Sequence, residues 1–176
     1  MQTRTLTLAA VLLLASCVAP PPPPAPRAAP SPSPVAAKPA PAPRLAGDWN
    51  DWPFSLGEWV YRRDERGSIG LFGVSGQNAL VSLRCDVQNR RIYLSREATA
   101  PGQRIVIRTS STMKEFAAKP TGGNPAYLAT EIMPTDAILD AMAFSRGRIL
   151  VETDGHQPVI LPAWAEITRI VEDCRN

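Results

Sequence analysis

Proline and glycine partition this chain. Twelve of its 19 prolines lie between Pro20 and Pro43, whereas all 11 glycines lie at Gly47 or later. A proline-dense tract has few backbone donors, and one filled out mainly with alanine lacks the large apolar groups that a core needs. Turn chemistry begins only where that tract stops. The boundary therefore falls near Leu45–Gly47, and residues 47–176 are expected to form one globular, β-rich domain of about 130 residues, long enough for a real core. Charge follows the same partition. Arg4, Arg27, Lys38 and Arg44 precede the boundary, so the basic residues left in the domain nearly balance the 16 acidic ones. The net charge of +3 belongs to the head and linker. A near-neutral domain makes no electrostatic case for a nucleic-acid partner.

The first residues carry an address. Leu6–Ala15 is a short apolar run behind one positive side chain, Arg4. A bilayer span needs roughly 20 residues, so the run suits a signal peptide over residues 1–16 rather than a lasting transmembrane helix. No later segment approaches spanning length. The run ends in Leu14-Ala15-Ser16-Cys17: an apolar residue, two small ones, then cysteine. This resembles the lipobox of bacterial lipoproteins. The resemblance implies cleavage before Cys17, a diacylglyceryl thioether on its sulfur and acylation of the new amino group. Each buried methylene contributes about 0.8 kcal/mol, so two or more chains anchor stably. Val18 stands where the family uses aspartate for inner-membrane retention, which implies an outer-membrane anchor with the domain in the periplasm. The covalent lipid on Cys17 is the one cofactor-like group expected. An ordinary secretory signal with a chance cysteine is the competing reading. Residues 17–46 read as the lipidated cysteine and a disordered Pro/Ala-rich spacer. In polyproline II it would advance about 3.1 Å per residue, a reach on the order of 90 Å. A proline-motif ligand for a recognition module is the alternative.

The domain alternates in short runs. Ala79, Val81, Leu83, Cys85 and Val87 share one face of a strand, opposite Ser82, Arg84 and Asp86. Ile92 and Leu94, Ile105 and Ile107, Leu128, Thr130 and Ile132, and Ile149 and Val151 give further period-two runs. Glu58–Arg62 and Ser68–Val74 add two further expected strands, and Gln88-Asn89, Pro101-Gly102, Gly122-Gly123 and Asp154-Gly155 supply turns. Two helices interrupt them. Thr135–Ala143 sets Ile138, Leu139 and Met142 at helical spacing behind a capping Thr135 or Asp136. Pro162–Cys174 starts with a proline suited to a first turn and repeats Ile167, Ile170, Val171 and Cys174 on one stripe, with Trp164 continuing it as core. The expected fold is mainly β (α+β). It is an antiparallel β-sandwich or flattened barrel of about seven or eight strands, with a short helix near 135–143 and a C-terminal helix near 162–174.

With Cys17 assigned to lipid, Cys85 and Cys174 remain. Both fall on faces predicted to be buried, and a secreted address permits oxidation, so a disulfide between them is expected. Two buried thiols are the alternative.

Sites for chemistry are sparse. The single histidine, His156, sits in an Asp154-Gly155 turn and is expected to be solvent-exposed. No metal site is expected, since no cysteine pair has zinc spacing and no loop resembles an EF-hand. Gly73-Val74-Ser75-Gly76-Gln77 fails as a nucleophile elbow, because Gln77 stands where glycine is required and a strand follows. Asp136 and Asp140 share a helix face, which is ordinarily a solvated arrangement. No catalytic residue is therefore assigned, and a hydrolase ranks last among the function classes. Two sets of residues could bind a ligand. Trp49 and Trp52, beside Asp48, Asn50 and Asp51, could stack on sugar rings of peptidoglycan or another glycan; the plainer reading is that they latch the linker's end onto the sandwich. Arg146 and Arg148 flank Gly147 and could clamp a carboxylate or phosphate; the plainer reading is that they pair with Glu152 or Asp140.

From Thr135 onward the order is short helix, Arg146-Gly147-Arg148 turn, strand, Gly155 turn, Val159-Ile160-Leu161 strand and helix. This resembles the end of small alphaproteobacterial periplasmic proteins of the invasion-associated locus B type. The final Glu172-Asp173-Cys174-Arg175 is similar to the end of small envelope lipoproteins of such bacteria. The resemblance covers about 40 residues and implies a fold, with no catalytic residue carried over. Three functions follow as expectations. The first is a non-catalytic binding or envelope-accessory domain whose partner is an envelope protein. The second is a peptidoglycan binder using Trp49 and Trp52. The third is an inhibitor of lysozyme or a protease, although no lysozyme-inhibitor motif surrounds Ser75-Gly76.

Overall fold

A computed structural model of the chain describes residues 45–98 and 104–176. The expectations for the signal peptide, for Cys17 and for almost all of the spacer lie outside the described residues, as does the Pro101-Gly102 turn. A short 3-10 turn, Trp49–Asp51, precedes the first strand. The elements then run β1 (Glu58–Asp64), β2 (Gly67–Gly73), β3 (Val81–Asp86), β4 (Arg91–Glu97), β5 (Arg104–Arg108), β6 (Met113–Ala117), β7 (Lys119–Pro120), β8 (Tyr127–Ile132), α1 (Ala137–Ala143), β9 (Arg148–Thr153), β10 (Val159–Pro162) and α2 (Ala165–Arg175). One open antiparallel sheet has the order β1-β2-β3-β4-β8-β7, and a second has the order β10-β9-β5-β6. The result is a sandwich-like α+β fold. Neither sheet closes into a barrel.

Alternation decides which face is buried. Phe72, Val81, Leu83, Cys85, Ile92, Leu94, Leu128 and Ile132 point inward from the larger sheet. Ile105, Ile107, Ile149, Val151, Val159 and Leu161 answer from the smaller one, and together they form a single core. Strand β3 departs from the expected pattern at its end. Val87 is 45% exposed and Asp86 is buried, because the Asp86 carboxylate turns in to accept from Arg66 Nη2 at 2.8 Å and from the Asn89 backbone N–H at 3.0 Å. The Arg66 guanidinium, helped by that amide, holds the Asp86 pKa down at about 2.

Helix α2 covers the part of the large sheet that the small sheet leaves open. Its stripe of Ile167, Ile170, Val171 and Cys174 is buried as expected, and each such aliphatic side chain contributes about 1.5–3 kcal/mol on full burial. Gly70 admits the helix: a Cβ there would lie 2.5 Å from Ile170 Cδ1 and 3.3 Å from the Trp59 ring. Trp59 in turn donates from Nε1 to Pro162 O at 3.0 Å, joining β1 to the end of β10. The helix begins later than expected. Pro162 is not its first turn but the last residue of β10, opposite Arg148. That strand is a sheet edge, where a missing N–H leaves no ladder bond unmade. Trp164 is correspondingly the N-cap rather than core, with extended ψ of 166° and 45% exposure. Helix α1 is capped by Asp136, which accepts from the Ile138 N–H at 3.1 Å. Strands β6 and β7 were not expected from the sequence.

Cys85 and Cys174 are bonded, with their Cα atoms 5.4 Å apart. The bond fastens α2 to the centre of the large sheet across a sequence separation of 89 residues. Closing a loop of that length removes about 4–5 kcal/mol of freedom from the unfolded chain. Reduction, or Cys174→Ser, is therefore expected to lower the unfolding free energy by an amount of that order and the denaturation midpoint with it. Urea melts with and without reductant measure it, and coincident melts would refute the stabilising role.

Candidate functional site

The segment before β1 crosses the outer face of the small sheet as a strap. Arg148, Leu150 and Glu152 alternate outward along β9, and Ile160 and Arg108 flank Leu150 in register. Leu150 and Ile160 are buried although they lie on the face away from the core, because the strap covers them. It is tied at its far end by reciprocal contacts: Ser55 donates its N–H to Ile160 O, and the Ile160 N–H donates to Ser55 Oγ, both at 3.0 Å. The middle is held by Arg148. Its Nη1 donates to Trp52 O at 2.6 Å and its guanidinium lies 4.8 Å from the centre of the Phe54 ring.

The start of the strap is shaped locally. Asp48 caps the 3-10 turn by accepting from the backbone N–H of Asn50 at 2.9 Å and from its side-chain amide at 2.8 Å. The turn sets Trp49 and Trp52 on the same side, and Trp52 Nε1 donates back to Ala46 O at 3.2 Å. Both rings are half-buried. They share the wall of a cleft of about 430 Å3 with Asp48, Arg108 and Glu152. The Arg108 guanidinium lies 5.9 Å from the Trp49 ring centre. Its Nη2 is directed to Met113 Sδ at 3.3 Å, while its buried Nε has no hydrogen-bond partner among the described residues. The cleft thus combines two aromatic faces, two carboxylates that can only accept, and a guanidinium that can only donate. That set suits a small ligand with many hydroxyl or amide groups.

The two residue sets anticipated from sequence fare differently. Trp49 and Trp52 come together in one cleft while also serving as the latch. Arg146 and Arg148 do not converge. Arg148 is drawn under the strap, whereas Arg146 is exposed in the turn at Gly147, whose φ is 87°. Neither is ion-paired with Glu152 or Asp140 among the described residues; Asp140 pairs instead with Arg175 at 2.7 Å. His156 is half-buried, with Nδ1 3.0 Å from Asp154 O. Sequence offers neither Arg108 nor Glu152 as a ligand-binding residue; Glu152 enters there only as an ion-pair partner for Arg146 or Arg148. Strand alternation places both outward, but only the path of the strap brings tryptophans to them. Among the described residues no group of three or more His, Cys, Asp or Glu is placed to hold a metal, and no helix is long and apolar enough to cross a membrane.

Comparison of the chain with protein-family models, with curated proteins and with solved structures returns no match.

Arg148→Ala removes one charge-assisted hydrogen bond and one cation–π contact, and is expected to loosen the strap at a cost of about 2 kcal/mol. Limited proteolysis should then cut between residues 45 and 57 faster than in the parent chain. Equal cutting rates would show that Arg148 does not hold the strap.

Proposed function

We propose that the chain is an outer-membrane lipoprotein whose sandwich is a non-catalytic binding module, tethered through Cys17 and the proline-rich spacer, with a peptidoglycan-type glycan as its ligand. One observation carries the ligand class: Trp49 and Trp52 face one polar cleft together with Asp48, Arg108 and Glu152. Sugar rings offer apolar C–H faces for tryptophan and hydroxyls for carboxylate and guanidinium groups. The place of the cleft supports the same reading. It lies where the chain enters the fold, so a ligand there would be held beside the tether. The anchor rests on the Leu14-Ala15-Ser16-Cys17 motif.

Two arms test the proposal. Cells expressing the full chain should incorporate labelled fatty acid into it, and Cys17→Ala should abolish the label; a labelled Cys17→Ala chain would remove the anchor. Isolated sacculi should co-sediment with the full chain, and Trp49→Ala or Trp52→Ala should lower retention about tenfold, equivalent to about 1.4 kcal/mol. Glu152→Gln leaves the strap's contacts in place and should also weaken retention. Retention unchanged in all three variants would sink the glycan reading.

A further inference from the structure

Arg96 is the third inward position of β4, after Ile92 and Leu94, and only 4% of it is exposed. A guanidinium stays charged, and a buried charge is costly unless an anion or a full set of acceptors faces it. The set is incomplete. Nη1 donates to Val151 O at 3.3 Å and Nη2 donates to Gln157 O, which ties β4 to β9 and its following turn across the sandwich. Nε is buried with no partner among the described residues. Among these residues no carboxylate forms an ion pair with Arg96. Burial pushes its pKa down to about 10, opposed by the field of Glu152.

The same side chain lines a groove of about 560 Å3, within the size range of small-molecule sites. Beside it the groove sets Leu56, Leu80, Ala98 and Val159 against Glu97 and His156, with apolar surface predominating. Leu56 is 80% exposed at this groove. A cation with an incomplete set of acceptors in a groove of mainly apolar surface is complementary to an amphipathic anion. A peptide would bring backbone N–H and C=O groups that the apolar stretch of the wall leaves unpaired; an acyl chain brings none.

We infer that this groove binds a carboxylate of fatty-acid type, with its head against Arg96 and its tail along Leu80, Ala98 and Val159. The groove shares no lining residue with the tryptophan cleft, so this assignment is independent of the glycan reading.

Titration calorimetry of the full chain with decanoate, below its micelle concentration, tests it. Decanoate should saturate one site, while decanol, with the tail but no charge, and propionate, with the charge but a short tail, should each bind at least about tenfold more weakly, the scale of one hydrogen bond to a charged group. Arg96→Gln should lose decanoate affinity by a similar factor and keep its affinity for decanol. Should Arg96→Gln not fold, Leu56→Asp decides, because it places a negative charge at an exposed rim position and should weaken decanoate about tenfold or more. Absence of saturable decanoate binding, equal binding of decanol, or decanoate affinity unchanged in a folded variant would overturn the assignment. Tighter binding of acetyl-Leu-Leu-Leu with a free carboxylate than of decanoate would overturn the fatty-acid class.

Discussion

The bond between Cys85 and Cys174 fixes where everything else can sit. The small sheet has four strands against six in the large one, so part of the large sheet's inner face needs another cover. Helix α2 supplies it, and the disulfide holds the last turn of the helix against the end of β3. Closer to β1 the hold is steric. The absent side chain of Gly70 leaves room for Ile170 and Trp59, and Trp59 reaches on to Pro162. Outside that seam, Asp173 accepts from Tyr61 at 2.6 Å and from Arg63 at 2.7 Å. Burial pushes the Asp173 pKa up, but the bonds from Tyr61 and Arg63 oppose it and the group lies below its ordinary value. One helix is thus fastened by a covalent bond, a packing notch and a charged clasp.

Residues with inward period-two spacing were readable because burial and pattern report the same thing. Leu83, Cys85, Ile92, Leu94, Ile105 and Ile107 lie where alternation puts them, and the pairing of Cys85 with Cys174 follows from two buried faces. Strand β6 escaped notice because it is an edge whose inward side chain of any size, Phe116, is only half-buried; there is almost no apolar alternation to detect. Strand β7 has two residues, too few to carry a period. Pro162 illustrates a tie between two rules. Proline suits a helix's first turn and equally suits an edge strand, and pairing with Arg148 decides for the strand. Once the helix starts at Ala165, Trp164 no longer lies on its stripe.

The candidate sites were less legible, for a related reason. Trp49 and Trp52 stood out by residue type and by their acidic neighbours. Their cleft also needs Arg108 and Glu152, which lie about 60 and 100 residues further along the chain by their own numbering and which nothing local marks. Arg96 was hidden in plain alternation. It follows Ile92 and Leu94 at the same spacing, yet an arginine at an inward position looks like the end of a buried face. Only the placement of Val151 O and Gln157 O shows that it crosses the interior.

The strap has a mechanical meaning if the chain before residue 45 is fixed to a surface. Tension applied there meets the strap before it meets any sheet. The first contacts to bear it are the Asp48-capped turn, then Arg148 on Trp52 and Phe54, then the paired bonds of Ser55 and Ile160. These lie in series, so they release one after another rather than together. Behind them is β1, an edge strand bonded on one side only. The disulfide lies outside this path, between β3 and α2. Moderate pulling would therefore unpeel the strap and bare Leu150 and Ile160 while the cross-linked core kept its shape. The tryptophan cleft, built on the strap itself, would be the first feature to come apart.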